Sequence, residues 1–200
     1  MIPLIPAYWP PSDERWPRLL ETLPPKSIII ANPNNGFAWD MKWVDHIRLL
    51  QAGGHLVVGY VPTGSMSLPV DELIFEADEY KRWYNVDGIF WDEVIPAPLP
   101  MFKKLHGFAR AVRKRRLLND GLSIFNPGYN GPFPFTLPKS IWVTRERPFE
   151  DPGKPTAPRW RNAVLLYNQG FDREHHLELI AANGWSYGWA ARQNWHEEHL

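Results

Sequence analysis

The 200-residue chain contains no cysteine, which excludes disulfide scaffolds, thiol nucleophiles and cysteine-bound zinc. It has no surplus of either charge, with 22 Lys and Arg set against 22 Asp and Glu. Dedicated nucleic-acid binders carry excess positive charge, so no nucleic acid is expected as a partner. No stretch approaches the roughly 18 consecutive apolar residues of a membrane helix, so no membrane span is expected. The N-terminus lacks a basic patch followed by an apolar run, the mark of a secretory leader. The expected location is therefore extracellular if a leader has been trimmed and cytoplasmic otherwise. Several catalytic frames are missing too. His175 and His176 are adjacent, and Glu197 and Glu198 stand in the wrong order between His196 and His199 for a His-Glu-x-x-His site, so no metal is expected. Ser65 and Ser67 lack the Gly-x-Ser-x-Gly frame of a nucleophile elbow. There is no phosphate-binding glycine motif, and no cofactor is expected.

What is present is apolar and aromatic. Hydrophobic residues make up 44% of the chain and aromatics 14%, including 11 Trp, enough to bury a core and to exclude disorder of the whole chain. Proline is abundant, at 21 residues, yet it punctuates rather than forms a tract. Pro6, Pro10, Pro11, Pro24, Pro25, Pro33, Pro62, Pro96, Pro98, Pro100 and Pro127 lie at the ends of apolar runs. Only Pro148–Pro158 reads as a proline-rich loop. Without a fixed repeat or a composition break, residues 1–200 read as a single domain.

Short β-like runs alternate, in the first half, with helix-like segments. The runs are Leu4–Trp9, Ile28–Asn32, Leu56–Val61, Gly88–Val94, Leu122–Asn126, Ile141–Arg145, Ala163–Tyr167 and Ser186–Ala190. Most are continuously apolar, as parallel strands covered on both faces must be. The helical segments are Asp13–Thr22, Asp40–Ala52, Val70–Trp83, Met101–Leu117 and Arg173–Asn183. Ser12 is a candidate N-cap for the first, Gly53-Gly54 closes the second, and Asp172 and Gly184 bracket the last. Alternating β and α reads as α/β with a parallel sheet, and eight strands read as a compact (β/α)8 TIM-like barrel. The segments 132–140 and 148–158 leave little room for helices, so helices should be missing between strands 5 and 7. A doubly wound open sheet is the alternative.

In such a barrel the site forms at the carboxyl ends of the strands. Those ends carry Tyr8-Trp9, Asn32-Pro33-Asn34, Tyr60-Val61-Pro62-Thr63, Asp92-Glu93, Asn126-Pro127-Gly128, Glu146, Tyr167-Asn168 and Gln193-Asn194. Aromatics for apolar sugar faces and amides for hydroxyls make this a sugar-site composition. Asp92 and Glu93 are the most informative pair, because they end the apolar run Gly88-Ile89-Phe90-Trp91. A charge in such a place is costly unless paired or used, and adjacent strand residues face opposite ways. Glu146 is the candidate partner, unless it forms a surface ion pair with Arg145 or Arg147. The basic run Arg110, Arg113, Lys114, Arg115, Arg116 reads as a solvated helix C-terminus.

An ordered set of segments resembles the spherulin-4 (spherulation-specific) family, relatives of the endo-acting galactosaminidases. These are Ile5-Pro6-Ala7-Tyr8, Ile29-Ile30-Ala31-Asn32-Pro33 with Gly36, Gly59-Tyr60-Val61 with Thr63, and Trp83-Tyr84. Val86-Asp87-Gly88-Ile89-Phe90 then runs into Asp92-Glu93, and Phe125-Asn126-Pro127-Gly128 follows. The resemblance implies a (β/α)8 barrel that hydrolyses α-1,4-linked galactosamine or N-acetylgalactosamine polysaccharide, with a retaining outcome. Asp92 and Glu93 match the family's acidic pair at the end of the fourth strand, and Glu146 a later strand-end glutamate. The chain departs from the family pattern at Pro62 and Gly64–Ser67, at Arg145, and in a last strand without an acidic ending.

Hydrolysis of a glycosidic bond uses two carboxyl groups, one ionised and one protonated. Asp92 is the expected nucleophile or charge stabiliser, Glu146 the general acid/base, and Glu93 a group that orients substrate or tunes Asp92. Tyr8, Trp9, Asn32, Tyr60, Trp91, Asn126, Tyr129 and Trp189 are the expected sugar platform. The competing expectation is a non-catalytic carbohydrate-binding barrel that has lost a catalytic acid. The two differ in whether the carboxyl of Glu146 lies across the cleft from Asp92 at hydrolase distance.

Overall fold

Runs of Ile, Val and Leu without polar alternation can be buried on both sides only in a sheet with helices outside and a packed interior. The computed structural model describes residues 1–33, 39–111, 121–129, 133, 137, 140–148, 152, 154–155, 162–167 and 173–191, and in them this arrangement is complete. The strands are β1 (Ile2–Ala7), β2 (Ile28–Ala31), β3 (Leu56–Pro62), β4 (Gly88–Asp92), β5 (Leu122–Phe125), β6 (Ser140–Pro148), β7 (Asn162–Tyr167) and β8 (Tyr187–Ala190). Each pairs in parallel with the next, and β8 returns to β1 through Ile2↔Tyr187 and Pro3↔Gly188. The result is a closed eight-stranded barrel rather than an open sheet.

Five helices are described: α1 (Arg15–Thr22), α2 (Met41–Ala52), α3 (Val70–Tyr84), α4 (Leu99–Ala111) and α5 (Arg173–Ala182). They follow β1 to β4 and β7, so among the described residues no helix lies between β5 and β7. None is long and apolar enough to cross a membrane. The local start and stop signals explain their limits. Asp40 caps α2 by accepting from the Lys42 amide at 2.9 Å. In α3, Asp71 and Glu72 sit in the first turn and Lys81 and Arg82 in the last, as the helix dipole favours. One expected cap is corrected. Ser12 does not cap α1; Asp13 accepts from the Arg15 amide at 2.9 Å and pairs with the Arg15 side chain. Asp172 and most of the basic run (Arg113 to Arg116) lie outside the described residues, as do Asn34, Gly36, Asn168, Arg192, Gln193, Asn194 and His196 to His199.

Two glycines establish which strand positions face inward. A Cβ on Gly59 would meet the Tyr80 ring of α3 at 2.5 Å, and one on Gly188 would meet Ile180 of α5 at 3.0 Å. Gly59 and Gly188 therefore face the helices, and their neighbours Tyr60 and Trp189 face the barrel interior. Register carries the assignment round the ring, since Tyr60 pairs with Phe90 and Trp189 with Leu165. The layer between strands and helices takes much of the aromatic content. Phe125 stacks on Trp142 at 4.6 Å with Phe102 of α4 against both, and Trp16 of α1 packs on Trp43 of α2. At the amino-terminal end of the barrel, buried Asp87 accepts from the Val57 amide at 2.9 Å and from Gln51 at 3.1 Å, pinning β4 to β3 and α2.

Candidate active site at the carboxyl ends of the strands

Asp92 is the last residue of β4, on the inward face shared with Phe90. Tyr60, inward on β3, donates its hydroxyl to Asp92 Oδ2 at 2.7 Å. Asn126, one residue past β5, donates its side-chain amide to Asp92 Oδ1 at 2.7 Å. The same nitrogen donates to Glu146 Oε2 at 2.6 Å. The sum of those two distances, about 5.3 Å, is the most that can separate the two carboxylate oxygens. Asn126 is itself held, because its Oδ1 accepts from the Gly128 amide at 3.0 Å and its own amide donates to the Trp91 carbonyl at 2.9 Å.

Glu146 reaches this cluster because β6 is irregular. Strict alternation from Ile141 and Val143 would turn Arg145 inward and Glu146 outward. The register slips between Val143 and Arg145, so Arg145 pairs with outward Val164 and Glu146 with inward Leu165. A bulge of this kind re-aims side chains at the rim of a barrel. Glu146 thus joins Asp92 instead of turning out towards its arginine neighbours.

Burial dominates the electrostatics. The Asp92 carboxyl is raised above the ordinary aspartate value because the barrel mouth desolvates it. Three donors oppose that shift: the Tyr60 hydroxyl, the Glu93 backbone amide and the Asn126 side chain. Tyr60 is itself pushed far above its ordinary value, by burial first and by the Asp92 charge next. Tyr8, just past β1 and packed edge-on to Tyr60 at 5.4 Å, is raised by burial and then by the charges of Asp92 and Glu146. Both tyrosines remain protonated, and both face the carboxylate pair.

The remaining expected site residues divide. Asn32 stands half-buried past β2 at an inward position, and Trp189 lines the interior on β8. Tyr129 follows Gly128 and is 40% exposed, with its ring 5.6 Å from Phe133. Glu93 is exposed at the rim, with φ of 57°, and brings to Asp92 its backbone amide. Trp9 and Trp91 depart from expectation. Both are fully buried, Trp9 against Trp16 and under the Arg15 guanidinium, Trp91 on the outward face shared with Val61 and Phe125. Neither ring is open to a sugar, because its strand turns it towards the helices. Two residues of the strand-end set that are not among the expected catalytic or sugar-contact residues also stand here. Tyr167 ends β7 at an inward position, and Thr63 is buried beside Asp92, its hydroxyl 2.8 Å from the Asp92 carbonyl. The inward parity of Leu165 turns Tyr167 to the interior, and Thr63 is marked only by its place just past the end of β3.

A closed parallel barrel with two carboxylates bridged by one amide at its carboxyl-end mouth belongs to the TIM-type class. The chain is a member of spherulation-specific family 4, whose model matches residues 3–179. Among solved structures, Aspergillus clavatus Sph3 in complex with GalNAc is similar, with a TM-score of 0.77 at 16% identity over 96% of this chain and 89% of that one. The C-terminal domain of a putative chitinase from Desulfitobacterium hafniense DCB-2 gives a TM-score of 0.42 at 12% identity, over 95% of this chain and 65% of that one. No curated protein sequence matches the chain.

Proposed function

We propose that the protein is an endo-acting glycoside hydrolase that cleaves α-1,4-linked galactosamine or N-acetylgalactosamine polysaccharide with retention of configuration. The observation that carries the reading is the Asn126 amide shared between Asp92 and Glu146. It keeps the two facing carboxylate oxygens no more than about 5.3 Å apart, an upper bound that favours the roughly 5–5.5 Å spacing of a retaining pair over the roughly 6.5–9.5 Å that leaves room for an inverting water. The sugar class is supported by the family resemblance and by the bound GalNAc of the Sph3 structure, which shares this fold.

In the proposed mechanism Asp92 attacks the anomeric carbon while Glu146 gives its proton to the departing glycosidic oxygen. The sugar is then held as an ester on Asp92. Glu146, now ionised, takes a proton from water, the water oxygen attacks the same carbon, and Asp92 leaves as carboxylate. The net change is addition of one water across the bond. Tyr60 and Asn126 hold the two Asp92 oxygens so that little reorganisation accompanies the attack. Tyr8, Asn32, Tyr129 and Trp189 are the proposed sugar contacts, and Glu93 a rim carboxylate that orients substrate.

The test is incubation with defined galactosamine and N-acetylgalactosamine oligomers, with products identified by mass and their first anomer by NMR. Asp92→Asn keeps the shape of the side chain but cannot form the ester, so it should bind oligomers and fail to cleave them. A rate retained within about tenfold, which is roughly 1.4 kcal/mol of barrier, removes Asp92 from the mechanism. Binding without cleavage by the unaltered protein identifies a carbohydrate-binding barrel instead.

A further inference from the structure

The loop after β3 carries an unusual backbone. Gly64, Ser65 and Met66 are consecutive residues with φ of 55°, 54° and 60°, so the chain makes a short left-handed turn of which two residues carry side chains. Left-handed backbone is disfavoured for residues with a Cβ and persists only where surrounding contacts over-determine it. Across from it stands a second such residue, Glu93, with φ of 57° immediately after Asp92. Neither segment is explained by its own sequence, since glycine occupies one of the four positions.

Thr63 lies between them and is fully buried. Its amide donates to the Asp92 carbonyl at 3.0 Å. Its hydroxyl is 2.8 Å from the Asp92 carbonyl and 3.1 Å from the Glu93 carbonyl, with one proton serving both acceptors. The same hydroxyl oxygen accepts from the Met66 amide at 3.2 Å, closing the left-handed turn as a capping threonine closes a helix start. From the opposite side, the Asn126 backbone flanks the corner, donating to the Trp91 carbonyl at 2.9 Å and accepting from the Val94 amide at 3.1 Å. With both carbonyls of the corner drawn to Thr63, the Asp92 backbone is fixed where its carboxylate meets the Tyr60 hydroxyl at 2.7 Å and the Asn126 side-chain amide at 2.7 Å.

We infer that Thr63 is a positioning residue for Asp92: its hydroxyl ties the left-handed turn of residues 64–66 to the Asp92–Glu93 corner and thereby holds the Asp92 carboxylate in its bonds from Tyr60 and Asn126. Its effect on hydrolysis rests on the catalytic reading of Asp92, but its effect on the Asp92 carboxyl does not. The groups that face that carboxyl are Tyr8 from β1, Tyr60 from β3, Asn126 and Glu146 beyond and on β5 and β6, and Glu93 beside it. Replacing the Thr63 hydroxyl leaves all of these side chains present but loosens the corner that sets Asp92 against the Tyr60 and Asn126 donors, so the Asp92 carboxyl should titrate at higher pH.

The experiment compares Thr63→Val, which keeps the shape and removes the hydroxyl, with Thr63→Ser, which restores it. The Asp92 carboxyl is followed by carbon NMR titration in the full chain, and cleavage of galactosamine oligomers is followed across pH. Thr63→Val should raise the Asp92 titration and lower kcat by at least about tenfold, or 1.4 kcal/mol, with KM changed little, and Thr63→Ser should reverse both. Thr63→Ala carries the same comparison if Thr63→Val does not fold. An Asp92 titration identical in all folded variants overturns the inference, as does an equal shift in Thr63→Ser and Thr63→Val. A shift specific to loss of the hydroxyl, in a protein that cleaves none of the oligomers, supports the positioning role and rejects only the proposed activity.

Discussion

Removing the Asn126 side chain tests the site at its centre. Asn126→Ala deletes one nitrogen that donates at 2.7 Å to Asp92 and at 2.6 Å to Glu146. Hydrogen bonds to charged groups contribute about 1.5–3 kcal/mol each. Without the amide, two carboxylate oxygens no more than about 5.3 Å apart repel by about 3 kcal/mol at an effective dielectric near 20. The pair relieves that repulsion by holding a proton more tightly. Because Asn126 is one of the donors that lower the Asp92 carboxyl against the upward pull of burial, its loss moves Asp92 further up. If the ionised form of Asp92 is the one that reacts, activity falls as pH drops through its pKa, and the acid limb of the pH–rate profile shifts to higher pH. Loss of one such bond in the transition state alone lowers the rate by about 10- to 150-fold. The assay is kcat/KM on defined oligomers across pH, with thermal unfolding as the control for folding. A rate within about threefold of the parent at every pH, with an unmoved acid limb, refutes the shared-donor reasoning.

Other outcomes follow from single contacts. Tyr60→Phe removes the hydroxyl on Asp92 Oδ2, so its acid limb should also move up, and a profile superimposable on the parent's counts against Tyr60 as a donor in the active form. Gly59→Ala drives a methyl into the Tyr80 ring, which is fully buried. It should cost about 1–3 kcal/mol, visible as a Tm lowered by roughly 2–4 °C per kcal/mol; an unchanged Tm means the ring moves freely. Asp87→Ala leaves the buried Val57 amide without its carboxylate acceptor. It should cost about 1–3 kcal/mol in denaturant unfolding with kcat per folded molecule unchanged, and a selective loss of kcat would show that Asp87 does more than support the fold.

Much of the barrel was readable from local pattern. The run Ile28-Ile29-Ile30-Ala31 has no polar position to present to water, and so reads as a strand covered on both sides. Gly53-Gly54 stops α2, where Gly53 is the C-cap and Gly54 takes φ of 85°. Asp92 was conspicuous for the same reason, as an acid at the end of an apolar strand. Opposed faces for adjacent residues were also readable, but not which face is the interior. That choice needs the helix to be in place, as Tyr80 against Gly59 shows, and it turned Trp9 and Trp91 from expected sugar contacts into parts of the helix–strand layer. Two further decisions belong to the tertiary structure alone. The slip between Val143 and Arg145 brings Glu146 inward, against the alternation that its own strand would impose. The three hydrogen bonds that Thr63 donates to the Asp92 and Glu93 carbonyls join a turn to a strand end some thirty residues away. Hydrophobic period is a property of neighbours in the chain and is written locally. Register, and the hydrogen bonds that hold backbone in a left-handed conformation, depend on which strands lie side by side once the barrel has closed.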